Sequence, residues 1–198
     1  MIARRAVVLG GVGLAGCSVL PQPKYVQQTQ WPLQVRPPHT SPRPARGKVL
    51  LVRDVQASPG VDRLGLQWYE PNGSVHVDFY NQWSVPPSQA VTSNLQQWLA
   101  GSGLFSAVVS PGSGLSPGLI LDTQLTQFTA DPRTMTAHAG LQITLINPDR
   151  TPAQVLLQRS VAGQARMPAD SPEGVADGLQ AALADALGRV QAAISEFR

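Results

Sequence analysis

The sequence predicts an α/β fold in which a mixed β-sheet is packed by two main helices. Two observations predict this class. Segments typical of strands alternate with two segments of helical periodicity, in the order strands, helix, four strands, helix. Hydrophobic residues make up 42% of the 198 residues and charged residues 14%, which suits a single folded domain rather than a disordered chain.

The first half of this domain is predicted to hold a buried strand, a hairpin and a helix. The strand covers residues 48–55, which include a nearly continuous apolar run. Residues 64–69 and 75–80 flank a Pro-Asn-Gly-Ser turn and predict the hairpin. Residues 86–100 predict the helix, because a proline suits its first turn and its apolar residues lie on one face: Val91, Leu95, Trp98 and Leu99.

The second half is predicted to be a run of strands. A short strand at residues 105–109 is followed by a loop of glycine, serine and proline at residues 110–118, and then by three longer strands. Within residues 134–147 polar and apolar side chains alternate, which predicts a sheet with one buried face. The apolar positions are Met135, Ala137, Ala139, Leu141, Ile143 and Leu145. Residues 153–164 predict the last strand.

The final helix has both a start signal and a buried stripe. Ser171 is suited to cap it, Pro172 fits its first position, and Glu173 complements the helix dipole. Seven apolar residues then recur at helical spacing: Val175, Leu179, Leu183, Leu187, Val190, Ile194 and Phe197. We expect this helix to be indispensable to the fold.

The N-terminus has the order of a bacterial export signal. Two arginines, an apolar stretch and small residues precede Cys17. The tetrad Leu14-Ala15-Gly16-Cys17 resembles the lipobox of bacterial lipoproteins, which implies removal of residues 1–16, cleavage after Gly16 and lipid on the Cys17 thiol. The residue after the cysteine is Ser18 and not aspartate, which resembles the pattern of lipoproteins that are sorted to the outer membrane.

Residues 17–47 are predicted to form a proline-rich tether between this lipid anchor and a domain at residues 48–198. The stretch carries basic residues and no acidic ones, and its prolines favour extended backbone. Its residues 25–30 are compatible both with tether and with a first strand of the sheet, so the sequence leaves that choice open.

Composition argues against several functions. The formal net charge is +3, and two of these charges are signal-peptide arginines, which leaves +1 without a basic cluster for nucleic acid. Cys17 is the only cysteine, so no internal disulfide is expected, and no spacing predicts a metal or cofactor site.

Catalysis has one weak candidate and protein binding has a stronger one. His76 and Asp78 lie two residues apart on one predicted strand face, as a base and its orienting acid would, but solvated polar positions explain them more simply. A metal shared by His76 and His138 would need adjacent strands and a third ligand. The aromatic residues of the hairpin predict a partner-binding patch where they are not core: Trp68, Tyr69, Tyr80 and Trp83.

Several segments together resemble the ABC-type transport auxiliary lipoproteins. They are the lipobox cysteine, Lys48-Val49-Leu50-Leu51-Val52-Arg53-Asp54-Val55, Asp62-Arg63-Leu64, Gln67-Trp68-Tyr69 with Phe79-Tyr80, Trp83, Leu95 and Leu99, and Leu104-Phe105 before Val108-Val109. The resemblance spans residues 17–197. Residues 25–33 depart from the family's compact Tyr-Tyr-x-Leu strand.

This resemblance implies a non-enzymatic lipoprotein, anchored in the outer membrane and facing the periplasm, that serves an intermembrane lipid transporter. Its partners would be a mammalian-cell-entry-domain protein with a permease and an ATPase; this chain itself lacks a G-x-x-x-x-G-K phosphate loop. Homo-oligomerisation is left open. The alternatives are an adaptor for cell-wall or outer-membrane assembly and a small periplasmic hydrolase.

Overall fold

The computed structural model describes residues 26–37 and 47–198. Nine strands form one mixed sheet: β1 Thr29–Trp31, β2 Val49–Val52, β3 Gln56–Ala57, β4 Gly65–Tyr69, β5 Val75–Trp83, β6 Ala107–Val109, β7 Leu119–Asp131, β8 Thr136–Asn147 and β9 Gln154–Arg166. The helices are α1 Pro87–Gly101 and α2 Pro172–Ile194, and a 3₁₀ turn, Ser195–Phe197, follows α2. The predicted class, element order and two helices are confirmed.

Strand β7 organises the sheet. Along one edge it pairs antiparallel with β8, which pairs antiparallel with β9. Along its other edge three shorter strands pair with it in parallel and in series: β2, then β3, then β4. β6 extends the sheet beyond β2, and β5 and then β1 extend it beyond β4.

Alternation along β8 decides which sheet face is buried. Ala137, Ala139, Leu141, Ile143 and Leu145 are all buried, as their spacing predicts. Their side of the sheet packs against α2, because the side chain of Ala137 lies next to Gly178 of that helix. The other residue of the predicted series, Met135, lies instead in the β7–β8 turn with φ 52° and is only partly buried.

Helix α2 follows its sequence signals closely. The Ser171 hydroxyl accepts a hydrogen bond from the Gly174 amide at 3.1 Å, and the Val175 amide donates to the Ser171 carbonyl at 2.8 Å. The apolar stripe is buried up to Ile194, whereas Phe197 lies in the 3₁₀ turn and is partly buried. The two helices are joined by Trp98 of α1, whose indole donates to the Gln191 side chain at 2.7 Å.

Two predicted strands are shorter than expected. The 48–55 strand is reduced to β2, which ends at Val52, and β3 begins only after it, at Gln56. Between them the Val55 amide donates to the Thr92 hydroxyl of α1 at 2.9 Å, while the Val55 side chain enters the core. The 105–109 strand begins only at Ala107. Phe105 precedes it and is buried in the core.

Part of the predicted tether belongs to the folded domain. Thr29–Trp31 forms β1, parallel to residues 81–83 of β5, so the end of the segment 25–30 joins the sheet, whereas residues 26–28 do not. Beyond it Leu33 and Val35 enter the core. Asn94 of α1, itself buried, accepts from the Val35 amide at 2.7 Å and donates to the Leu33 carbonyl at 2.9 Å, so its side chain replaces a neighbouring strand.

Helix α2 approaches β9 so closely that the strand needs a glycine there. A Cβ atom on Gly163 would overlap the Ala182 carbonyl and the Ala186 amide. We expect Gly163→Ala to lower the free energy of unfolding by about 1–3 kcal/mol, the usual cost of overpacking a core, as measured by urea denaturation.

Gly188→Ala is the matched control, because a Cβ there meets only Trp98 at an ordinary 3.8 Å. Replacing glycine by alanine inside a helix is expected to raise stability by up to about 1 kcal/mol. Equal unfolding midpoints for the two variants would contradict the close packing of α2 on Gly163.

Candidate functional site

The β4–β5 hairpin carries a run of exposed apolar side chains, and a large bulge shapes it. Gly65 pairs with Gln82 and Gln67 with Val77, so residues 78–81 bulge out of the ladder opposite a single residue of β4. There is no room for a side chain at Gly65, because a Cβ there would overlap the Asp78 carbonyl. The bulge therefore requires glycine on the facing strand.

Asp78 holds the bulge together from inside. Its side chain is 9% exposed, and its Oδ1 accepts from the amides of Tyr80 at 2.7 Å and Asn81 at 3.1 Å. Its Oδ2 accepts from the Asn81 side chain at 2.8 Å. Asp78 is thus bound to backbone and not to His76, whose Nδ1 lies 3.5 Å from Glu70 instead. The predicted solvated position of Asp78 is wrong.

The four aromatic residues predicted as one patch lie in four different places. Trp83 is 2% exposed, with its ring centroid 5.6 Å from that of Phe128, so it belongs to the core and presents no surface to a partner. Tyr69 is half-buried on the sheet face away from α2, where its hydroxyl lies 3.5 Å from Gln127 Nε2. Tyr80 is exposed at the bulge, and its ring meets that of Phe79 edge-on at 5.2 Å.

Trp68 lies beside a small apolar hollow at the start of α2. His76 stacks on the Trp68 ring at a centroid distance of 4.3 Å and leaves part of it accessible. The hollow measures about 210 Å³, and its walls come from β4, the β7–β8 turn and the first turn of α2: Trp68, Pro132, Asp170, Ser171, Pro172 and Val175. We call it the Trp68 hollow; its size suits one apolar side chain.

An ion pair shapes the turn that forms one wall of this hollow. Asp131 Oδ1 accepts from Arg133 Nε at 2.9 Å and from the Arg133 amide at 3.0 Å, and Oδ2 accepts from Nη2 at 2.8 Å. These bonds, first among them those from the guanidinium, hold the pKa of Asp131 below its usual range, while burial opposes them. The same pairing raises the pKa of Arg133. Pro132 is fixed between the two residues.

A larger concavity, about 720 Å³, lies elsewhere, on the open sheet face. It is lined mostly by polar side chains of β7, β8 and the segment after β2. Within it Arg53 Nη1 lies 3.1 Å from Asp122 Oδ2, with both side chains well solvated. An exposed pair of this kind contributes little energy, and only Leu51 and Pro111 of the lining are apolar.

The other predicted positions do not assemble into a further site. His138 pairs with Thr129 of β7, so β7 and β4 separate it from His76 by three strand spacings, about 14 Å. Among residues 26–37 and 47–198 no three histidine, cysteine or acidic side chains approach closely enough to hold a metal ion. Gly16 and Cys17 lie outside the described residues.

Sequence reasoning missed Phe79 as a site residue, although it is 67% exposed. A signal was present: an aspartate directly before Phe-Tyr-Asn can bind the amides that follow it, which takes the chain out of a strand. For an unbroken strand, the alternation of Val75, Val77 and Phe79 would instead predict that these three side chains share one buried face.

These features define a two-layer α/β domain with apolar surface exposed on one hairpin and no helix, within the described residues, that is long and apolar enough to span a membrane. The sequence profile of the ABC-type transport auxiliary lipoprotein component matches residues 31–191. The chain therefore belongs to this family, and the family resemblance in the sequence is confirmed. No curated protein sequence matches it.

Solved structures share the fold. A protein of Xanthomonas campestris from the family DUF330 superposes with a TM-score of 0.72 at 17% identity, covering 85% of this chain and 96% of its own. An uncharacterised protein superposes with a TM-score of 0.61 at 15% identity, covering 84% and 99%. A hypothetical protein of Chlamydia trachomatis gives 0.53 at 7% identity, covering 77% and 98%.

The Asp131–Arg133 pair predicts a pH dependence at the wall of the Trp68 hollow. The pKa of Asp131 is lower in the folded protein than in the unfolded chain, where it is about 3.9. Ionised Asp131 therefore contributes its full stabilisation above that pH. The contribution is lost as the pH falls through the pKa of Asp131 in the folded protein. We expect Arg133→Gln to raise the pKa of Asp131, measured by a carboxyl-carbon NMR titration.

Arg189→Gln serves as the control, since Arg189 pairs with Asp185 on α2 at 3.0 Å and not with Asp131. It should leave the Asp131 titration in place. An unchanged Asp131 pKa in Arg133→Gln would show that the guanidinium is not the cause of the shift.

Proposed function

We propose that this chain is a lipid-anchored accessory subunit of an ABC-type intermembrane lipid transport system, and that it works by protein binding and not by catalysis. The family, described as an auxiliary transport lipoprotein, supports the first part. The Trp68 hollow is the observation that carries the second. Ser18 after the lipobox cysteine supports placement in the outer membrane, with the domain facing the periplasm.

The Trp68 hollow has the features of a protein-docking anchor. Its wall is built from Trp68, two prolines and Val175, which are rigid or held by the core, so a partner side chain would enter a preformed space. Asp170 is exposed beside it and gives the rim a negative charge. We therefore expect a partner segment that presents one apolar side chain next to a basic residue.

The transporter is the proposed source of that segment. The expected partner is a mammalian-cell-entry-domain protein, which reaches the ATPase and permease through its own assembly. Tyr69 lies on the opposite face of the same strand from Trp68 and would contact a partner only if that partner wrapped around the hairpin. Trp68 is accordingly the first residue to substitute.

The lipid anchor is tested by labelling cells with radioactive palmitate and separating their membranes on a density gradient. We expect the wild-type chain to carry label and to migrate with the outer membrane, whereas Cys17→Ser takes up none because the accepting thiol is gone. Ser18→Asp should stay labelled but move to the inner membrane. Label on Cys17→Ser would contradict lipidation at this residue.

Partner binding is tested by recovering the epitope-tagged protein from detergent-extracted membranes and identifying co-purified chains by mass spectrometry. We expect the mammalian-cell-entry protein with its permease and ATPase. Trp68→Ala should reduce recovery at least tenfold, as removal of an aromatic anchor typically costs about 2 kcal/mol or more. Asp170→Arg, which changes only the exposed rim, should reduce it as well.

Leu115→Ala is the matched control, because Leu115 is exposed in the loop before the start of β7, whereas the hollow lies beyond the other end of that thirteen-residue strand. Far-UV spectra and unfolding midpoints separate lost binding from lost fold. Recovery of cell-wall synthases or assembly factors alone would overturn the transport proposal in favour of an assembly adaptor. Ester hydrolysis abolished by His76→Ala would overturn the non-catalytic one.

A further inference from the structure

The chain enters the domain next to its most exposed aromatic pair. The Gln28 side chain donates to the Phe79 carbonyl at 3.2 Å, and β1 then runs parallel to the end of β5. Only eight residues lie between Val26 and Cys17. Even fully extended they reach about 30 Å, so acyl chains on Cys17 would hold this side of the domain close to the bilayer.

Four exposed apolar side chains follow one another along β5: Val75 and Val77, and then Phe79 and Tyr80, whose rings are in contact. They are named here the Phe79 patch. All lie on β5. The edge of β5 that faces away from β4 is unpaired between residues 75 and 80 in the described part of the chain, since β1 pairs only with residues 81–83. The buried Asp78 carboxylate fixes the bulge that turns Phe79 and Tyr80 outward. Their exposure is thus maintained by the structure around them.

We propose that the Phe79 patch rests in the interfacial layer of the phospholipid membrane that holds the anchor. The Tyr80 ring, with its polar hydroxyl end, suits the headgroup level, and the apolar side chains of Phe79, Val75 and Val77 would enter the acyl boundary. This inference rests on the lipid anchor of the proposed function. It adds a second, direct contact between the folded domain and the lipid surface.

The charge of the tether favours a lipid surface over a protein as the occupant. Between residues 18 and 47 the charged residues are all basic: Lys24, Arg36, Arg43 and Arg46. A segment that follows a lipid anchor and carries only basic charges suits a membrane containing anionic phospholipid. The short link from Cys17 also raises the effective concentration of lipid at the patch far above that of a free protein partner.

The test uses lipidated full-length protein, purified from bacterial membranes and reconstituted into vesicles of phosphatidylethanolamine and phosphatidylglycerol with brominated acyl chains. Bromine quenches tryptophan that reaches the acyl boundary. The tryptophan introduced by Phe79→Trp adds fluorescence to that of the parent protein. We expect this added fluorescence to be at least halved in brominated vesicles compared with unbrominated vesicles. The substitution keeps an aromatic ring at an exposed position, so the fold is retained.

Val155→Trp is the matched control, because Val155 is 55% exposed on β9, across the sheet from β5. Its added emission should be unchanged by bromine. Quenching in Phe79→Trp alone supports membrane contact, whereas equal quenching in both variants, or in neither, overturns it. If the fluorescence added by Phe79→Trp changes only when the transporter partner is present, the proposal is overturned too, and the patch is assigned to a protein.

Vesicle flotation and the mass of the N-terminal peptide keep the two proposals separate. Failure of the protein to carry acyl chains or to float would contradict the anchor in the proposed function. If the Phe79→Trp variant is acylated and floats, but its added emission is not quenched, only the contact made by the Phe79 patch is contradicted.

Discussion

The pairing of β7 is the constraint on which the rest of the structure depends. Its thirteen residues are matched along one edge by β8, and along the other by β2, β3 and β4 in series. Long-range backbone bonds of this kind fix where the short strands lie, because isolated strands of two to five residues are not stable. The end of β7 meets β4, so the position of the hairpin, and of the Trp68 hollow next to it, follows from this one strand.

Asp78 shows how the hairpin departs from a regular ladder. Burial of a carboxylate is unfavourable unless hydrogen bonds satisfy it, and here the amides and side chain of the following residues do so. The arrangement needs Gly65 opposite, where no side chain competes for the space. A buried polar group and a glycine together keep two large aromatic side chains in solvent, which a core optimised only for stability would bury.

The proposed roles use different sides of one rigid unit. The Trp68 hollow lies against the start of α2, whereas the Phe79 patch lies at the edge where the chain arrives from the anchor. With the patch on the membrane, the hollow would be held at a constant distance from the lipid surface. Such placement would let a tethered subunit receive a partner without a search over all orientations, because anchor and second contact together restrict rotation of the domain.

The sequence alone determined those features that depend on near neighbours along the chain. The capped start and buried stripe of α2, the alternation in β8 and the β4–β5 hairpin each arise from contacts within a few residues, so their patterns were sufficient for prediction. The departure of Phe79 and Tyr80 from the ladder had a local signal in Asp78, whereas tertiary structure alone decided that Trp83 is core and that β1 joins β5. These outcomes depend on pairing between distant segments, as between Thr29 and Asn81, and one shift of register exchanges a strand's buried and exposed faces.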